Sequence, residues 1–248
     1  GRQNTVFKLY LQVWILLSIV AAVSVAWLYA RSRHWQPGLY RVWWTILALL
    51  VLGGALFLPI GIRARAVDRI SPDTGLTLDG MAFMKYSRIY DGPEGEPREI
   101  FLYGDYAAIH WMQDEIQGSP VIVEGLGWRE YLWANRVSIY TGLPTVAGWR
   151  WHQVQQRPLL PSDEVDSRRS AVRAFYGTSN ITSASDFLAR YGVRYIYVGG
   201  YEQAYYNPAG LAKFDAMVEE GLLCLAYDSH GVKIYEVPDG VQSEPVVQ

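Results

Sequence analysis

The chain has 248 residues, half of them hydrophobic, and a formal net charge of −2. Its 22 Lys and Arg stand against 24 Asp and Glu, so it lacks the basic excess of a nucleic-acid binder. A single cysteine, Cys224, excludes an internal disulfide, and its apolar neighbours Leu223 and Leu225 predict a buried strand position.

Residues 7–30 and 39–60 are apolar runs. A helix rises about 1.5 Å per residue and a hydrocarbon core is roughly 30 Å thick, so about 20 apolar residues cross it. Between the runs, Arg31, Arg33, Pro37 and Gly38 suit a reversal outside lipid. Trp14, Trp27, Tyr29, Trp35, Tyr40, Trp43 and Trp44 crowd the ends, as amphipathic rings do at headgroup depth. Buried core helices are the alternative, but the lengths and aromatic ends favour the bilayer. The first run is too long for the core of a signal peptide, and no small-residue cleavage site follows it. Arg31, Arg33 and Arg41 would hold the short loop in the cytoplasm, yet Arg63, Arg65 and Arg69 on one side and Arg2 and Lys8 on the other nearly balance them. The opening Gly1 in place of Met reads as a processed product or the middle of something longer.

After the membrane, the pattern predicts an α/β fold: a layered domain with a mixed sheet, of about 180 residues. The expected layout is a transmembrane hairpin (1–62), an exit segment with an exposed loop at 91–97 (63–98), the α/β domain (99–238) and a loose tail (239–248). Residues 103–117 read as a helix, with Ile109, Met112 and Ile116 on one face, Asp105 capping the start and Gly118 ending it. Asp79 is read as a cap as well. A short buried strand follows at 120–124. Charge-dense residues 162–176 read as a largely solvated helix, and 183–191 as a helix stopped by Gly192 and leading into a strand at 193–198. Asn207 and Pro208 open a last helix, and strands at 222–227 and 232–237 flank a hairpin turn at 228–231.

Residues 124–157 hold the candidate site. A strand delivers Glu124 into the Gly125-Leu-Gly127 loop, a place where α/β folds put functional groups. Trp128, Tyr131, Trp133, Tyr140, Trp149 and Trp151 follow, interleaved with Arg129, Arg136, Arg150, His152 and Arg157. Flat aromatic faces suit the C–H faces of sugar rings, and arginine forks suit phosphate oxygens. The substrate-binding candidates are Glu124, Arg129, Tyr131, Tyr140, Trp149, His152 and Arg157; no catalytic residue is assigned. Each also has a plainer reading. Glu124 can cap a turn or pair with Arg129, the aromatics can pack against a bilayer or a subunit, and a lone Gly-x-Gly is weak evidence for a nucleotide. His152 has no second ligand at metal-binding spacing, so neither a metal nor a cofactor is expected. Ser138 lacks the context of a nucleophile.

Several blocks, in order, resemble the C-terminal portion of the YYY-type polytopic membrane proteins of green non-sulfur bacteria and archaea. They are residues 4–8 with Tyr10 and 12–14, then 78–82, 118–124, 140–145 with Gly148, Trp149 and His152, and 191–199. The block at Tyr140 is the most specific. Those proteins are similar to GT-C glycosyltransferases, which take sugars from polyprenyl-phosphate donors on the outer face of the membrane. The resemblance therefore implies a multi-pass protein of the cell membrane with an extracytoplasmic soluble domain and substrate contacts for sugar transfer. GT-C enzymes carry their catalytic acid in the first external loop of a many-helix bundle, a region this chain does not match, so the chain alone is expected to be inactive. The segment 154–157 also lacks a tryptophan expected between glutamine and arginine. The alternatives are a non-catalytic membrane subunit that organises a larger complex, with further transmembrane segments or subunits as partners, and a glycan-binding envelope module.

Overall fold

The computed structural model describes residues 3–69, 72–157, 159 and 161–238. Two compact units divide the chain, Gly1–Ile70 and Ser71–Gln248.

The first unit is a pair of helices, α1 (Gln3–Ser32) and α2 (Pro37–Arg69). Pro37 takes the first helical position, where its missing N–H leaves no bond unmade. The Trp44 indole donates to Ser32 Oγ at 3.0 Å, and Tyr29 meets Trp44 edge to face at 5.7 Å, fastening the helices at their loop end. The stretches Thr5–Ser32 and Pro37–Ala66 are long and apolar enough to cross a membrane, and none of either apolar window is buried in protein. Leu16, Leu50 and Phe57 are among the many exposed apolar side chains. Such surface belongs in lipid, so the chain associates with a bilayer. The helix α2 runs on through Arg69, past residue 63 where a polar exit passage was expected. Arginine is a strong helix former, and no Gly or Pro interrupts the chain between Ile62 and Pro72.

The second unit opens with a 3-10 turn, Pro72–Thr74, and a second follows at Ala82–Lys85. Asp79 Oδ1 accepts from Met81 N at 2.8 Å, but Met81 is itself the cap residue of that second turn and no side chain caps it, so Asp79 shapes the approach and is not the cap expected. An antiparallel hairpin follows, β1 (Arg88–Asp91) and β2 (Arg98–Phe101). Then come α3 (Tyr103–Glu115), β3 (Val121–Val123), α4 (Arg136–Thr141), α5 (Arg150–Gln156), α6 (Ser162–Gly177) and α7 (Ile181–Tyr191). The chain continues with β4 (Val193–Val198), α8 (Gly200–Tyr205), α9 (Pro208–Glu219), β5 (Cys224–Ser229) and β6 (Val232–Glu236).

The main sheet is mixed, in the order β3-β4-β6-β5, with β3 parallel to β4 and the other neighbours antiparallel. Side chains alternate across it, as strand geometry requires. Val123, Ile196 and Tyr235 face Phe175, Phe187 and Phe214 of α6, α7 and α9. Ile122, Tyr197 and Ile234 face Ala108, Met112 and Val137 of α3 and α4. Helices thus cover both faces, and the expected layered α/β fold with a mixed sheet is what the chain forms.

Local signals explain the ends. Gly192 turns at φ 58 after α7, the Asn207 side chain accepts from Gly210 N to open α9, and His230 (φ 52) with Gly231 (φ 76) make the tight β5–β6 turn. Three expectations need correction. Cys224 is exposed, because it sits on the outermost strand of the sheet. The helix α6 is not largely solvated: Val172, Phe175 and Tyr176 turn one face into the core. The β1–β2 hairpin lies where only a loop was expected, and its connection is exposed from Glu94 while Asp91 and Gly92 are buried. The proposed tail at 239–248 lies outside the described residues.

Candidate functional site

Glu124 leaves the end of β3 at 1% exposure. Its Oε2 accepts from Val137 N at 2.9 Å and its Oε1 from Ser138 N at 3.0 Å. These are orphan donors of the first turn of α4, whose own cap residue, Asn135, has left-handed backbone and sends its side-chain N–H to Ala147 O. Glu124 is therefore a helix cap supplied by a neighbouring strand, and it makes no pair with Arg129. Burial pushes its carboxyl up to about 7, while Arg136 and the two backbone donors pull the other way.

Beside it lies a charge cluster that sequence reasoning did not find. Arg136, 1% exposed, reaches Asp105 Oδ2 through Nε at 2.8 Å and Glu202 Oε2 through Nη2 at 2.8 Å. Asp105 also accepts from Tyr197 OH at 2.7 Å and Trp133 Nε1 at 2.6 Å, so it does not cap α3. Glu202 accepts from Gly125 N and Gly199 N, each at 2.8 Å. The guanidinium also lies against the rings of Tyr197 and Tyr201. Burial opposes its charge, but Asp105 and Glu202 outweigh it and hold the Arg136 pKa well above the ordinary range. This cluster sits beyond the carboxyl ends of the parallel strands β3 and β4. Open α/β sheets often keep a ligand crevice there; here salt-bridged side chains fill it.

The Gly-x-Gly loop serves the same packing. A Cβ on Gly125 would meet Glu202 Cγ at 2.9 Å, and one on Gly127 would overlap the Tyr201 hydroxyl. The glycines let backbone approach side chains rather than phosphate. Gly127→Ala is expected to destabilise the soluble domain by about 1–3 kcal/mol through overpacking, read by denaturation against wild type. An unchanged midpoint would show that Tyr201 and Tyr205 can move aside.

The solvent-facing part of the candidate site is built on α5. Glu130 caps that helix, accepting from Arg150 N at 2.8 Å and Trp151 N at 2.7 Å. The cap draws the preceding loop onto the helix and brings Tyr131 against Trp149, with ring centroids 4.9 Å apart. His152 stands 6.4 Å from both rings. Trp149 is held by its indole N–H on Ala134 O at 3.1 Å. Gln153 of α5 and Arg157, the residue that follows the helix, line a cleft of about 370 Å³ with Thr145, Gly148, Asp163 and Arg168. Arg168 is paired with Glu164 at 2.9 Å, whereas Arg157 makes no ion pair among the described residues. Arg150 is committed to Asp166 through two bonds, at 2.6 and 2.9 Å.

Of the seven candidates, Tyr131, Trp149 and His152 meet in one aromatic cluster, and Arg157 is the residue just past the helix that carries His152. Arg129 is exposed and stacks over Trp128 at 4.6 Å. Tyr140 packs near Trp133, with centroids 6.4 Å apart, and partial burial raises its pKa. Glu124 is sealed inside. Asp105, Arg136 and Glu202 come from three distant stretches, so no local spacing could have joined them.

No protein-family model matches the chain, and no curated protein matches it. One solved structure to which it is similar is the C-terminal globular domain of an oligosaccharyltransferase from Archaeoglobus fulgidus, at 14% identity and a TM-score of 0.34. The match covers 54% of this chain and 95% of that one. A likeness of this size carries no function from one protein to the other.

Proposed function

We propose that the chain is a membrane-anchored part of a glycosyltransferase-like protein, and that its soluble domain, on the outer face of the membrane, contacts a polyprenyl-phosphate sugar without performing the transfer. The observation that carries this reading is the α5 surface. Tyr131, Trp149 and His152 offer ring faces to a sugar, and Arg157, free of any ion pair among the described residues, lines the cleft just past the helix that carries His152. Glu124, the one suggestive carboxylate, is consumed as a buried cap, which favours binding over catalysis. The sequence resemblance to YYY-type proteins supports the same substrate class.

The test is binding of short-chain prenyl phosphohexoses to the full chain in lipid nanodiscs. Arg157→Ala is expected to weaken binding about tenfold or more, since a charge-assisted hydrogen bond contributes about 1.5–3 kcal/mol. Tyr131→Ala should weaken it as well, by removing one ring face. Equal affinity in wild type and both variants overturns the assignment.

A second reading, a non-catalytic subunit that organises a larger membrane complex, is favoured by the spans. Their outward apolar surface suits further helices as well as lipid. Cross-linking in native membranes that recovers only single chains would count against it.

A further inference from the structure

We propose that a cavity in the soluble domain, walled by Arg98, Phe101 and His230, binds the phosphate monoester group of a small organic molecule. The cavity holds about 330 Å³, at the lower end of the range for small-molecule sites. Strand β2 supplies Arg98, Glu99 and Phe101, the β5–β6 turn supplies His230, and Asp105 and Gln203 line it as well. Gln203, on α8, ties the two walls together. Its side-chain Nε2 donates to Gly231 O at 3.0 Å, and its backbone O accepts from Arg98 Nη1 at 3.3 Å. Gly104 lets the turn settle onto α3, since a Cβ there would meet His230 O at 2.5 Å. The Tyr103 ring meets the imidazole edge to face, with centroids 4.8 Å apart. His230 itself holds left-handed backbone (φ 52), which residues with a Cβ seldom adopt. Strain of this kind collects where a side chain is held ready for a ligand.

Charge decides the ligand. Both acids in the lining are already neutralised: Glu99 by Arg88 at 2.9 Å and Tyr90 OH at 2.6 Å, Asp105 by Arg136. Glu94 and Glu96, on the β1–β2 connection, do not line the cavity. Arg98 makes no ion pair among the described residues, and Gln203 O occupies only one nitrogen of its fork. The His230 ring makes no hydrogen bond or ion pair among the described residues. A guanidinium fork beside an imidazole that can carry a proton matches the two charges of a phosphate monoester, and a carboxylate brings only one. Phe101, 66% exposed, offers an apolar face to the carbon body of the ester. Two sources present this group, a soluble sugar phosphate and a phosphatidic acid headgroup. The cavity shares no residue with the α5 surface, so it stands whether or not that surface binds a sugar.

The test is isothermal titration calorimetry on the full chain in phosphatidylcholine nanodiscs, with titrations into empty discs subtracted. The probes are glucose 6-phosphate and the water-soluble dihexanoyl phosphatidic acid, and the tighter of the two identifies the source. Arg98→Gln should weaken its binding about tenfold or more, the loss of a charge-assisted hydrogen bond. His230→Asn should weaken it several-fold with circular dichroism unchanged, because asparagine tolerates the left-handed turn but cannot carry the charge. Equal affinity in wild type and both variants overturns the proposal. So does binding of glucuronate as tight as that of the better phosphate, which would make the site one for carboxylates. Undetectable binding of both phosphates at millimolar concentration overturns it too. Prenyl phosphohexose binding is titrated separately, so either proposal can fail without the other.

Discussion

Arg136→Met is expected to destabilise the soluble domain by about 3–5 kcal/mol, the usual effect of removing one partner from a buried ion pair. The reason is what the substitution leaves behind. Asp105 and Glu202 stay buried, and neither can move to water. Asp105 is held by Tyr197 and Trp133, and Glu202 by the N–H groups of Gly125 and Gly199. Two carboxylates then share a dry site with no cation, and at least one takes up a proton. Arg136→Lys should recover only part of the loss, because an ammonium cannot bridge both carboxylates with the fork that reaches Nε to one and Nη1 and Nη2 to the other. Glu202→Gln should be damaging in its own way, since an amide presents a donor to one of two backbone donors. Chemical denaturation of the nanodisc-held chain, followed by near-ultraviolet circular dichroism, reads all three. An Arg136→Met midpoint within about 0.5 kcal/mol of wild type, the range of ordinary surface substitutions, would refute this account of the cluster.

The parts of the fold legible in the sequence are those set by neighbours along the chain. Gly192, the Asn207–Pro208 pair and the turn at 228–231 each act within a few residues, and the elements they bound appear where expected. The two spans were legible because lipid imposes a length and a composition. What failed depends on distant contacts. Nothing near Asp105 reveals that Arg136, Trp133 and Tyr197 will converge on it, so its place in the first turn of α3 reads as a cap. Cys224 has the apolar neighbours of a core strand, but exposure follows from strand order, which local pattern does not encode. The segment 124–157 shows both limits. Its aromatic and arginine content was plain, but which rings are open depends on Glu130 folding back onto α5 and on Glu124 reaching α4.

The same buried cluster sets a pH dependence. In this cluster three carboxylates, Asp105, Glu124 and Glu202, lie near one guanidinium, and among the described residues Arg136 forms ion pairs with Asp105 and Glu202 but not with Glu124. Glu124 is the acid left over. Burial raises its pKa from 4.5 to about 7, against the pull of Arg136 and of the Ser138 and Val137 N–H groups. The sign follows from linkage. A carboxyl whose folded pKa lies above its unfolded value favours the fold while protonated, so its contribution is fully present below about pH 4.5 and is lost as pH rises through about 7. Complete ionisation withdraws about 3 kcal/mol, because each pH unit separating the folded from the unfolded pKa is worth about 1.36 kcal/mol. Wild type should therefore lose stability between pH 5 and pH 8 relative to Glu124→Gln, which cannot ionise at this position. The comparison cancels the histidines and every other titrating group common to both proteins. It also removes the constant penalty of the substituted side chain, whose amide N–H₂ meets a backbone donor at every pH. Parallel stability–pH curves for the two proteins would mean that Glu124 keeps its charge throughout, with the helix N–H groups and Arg136 together outweighing its burial.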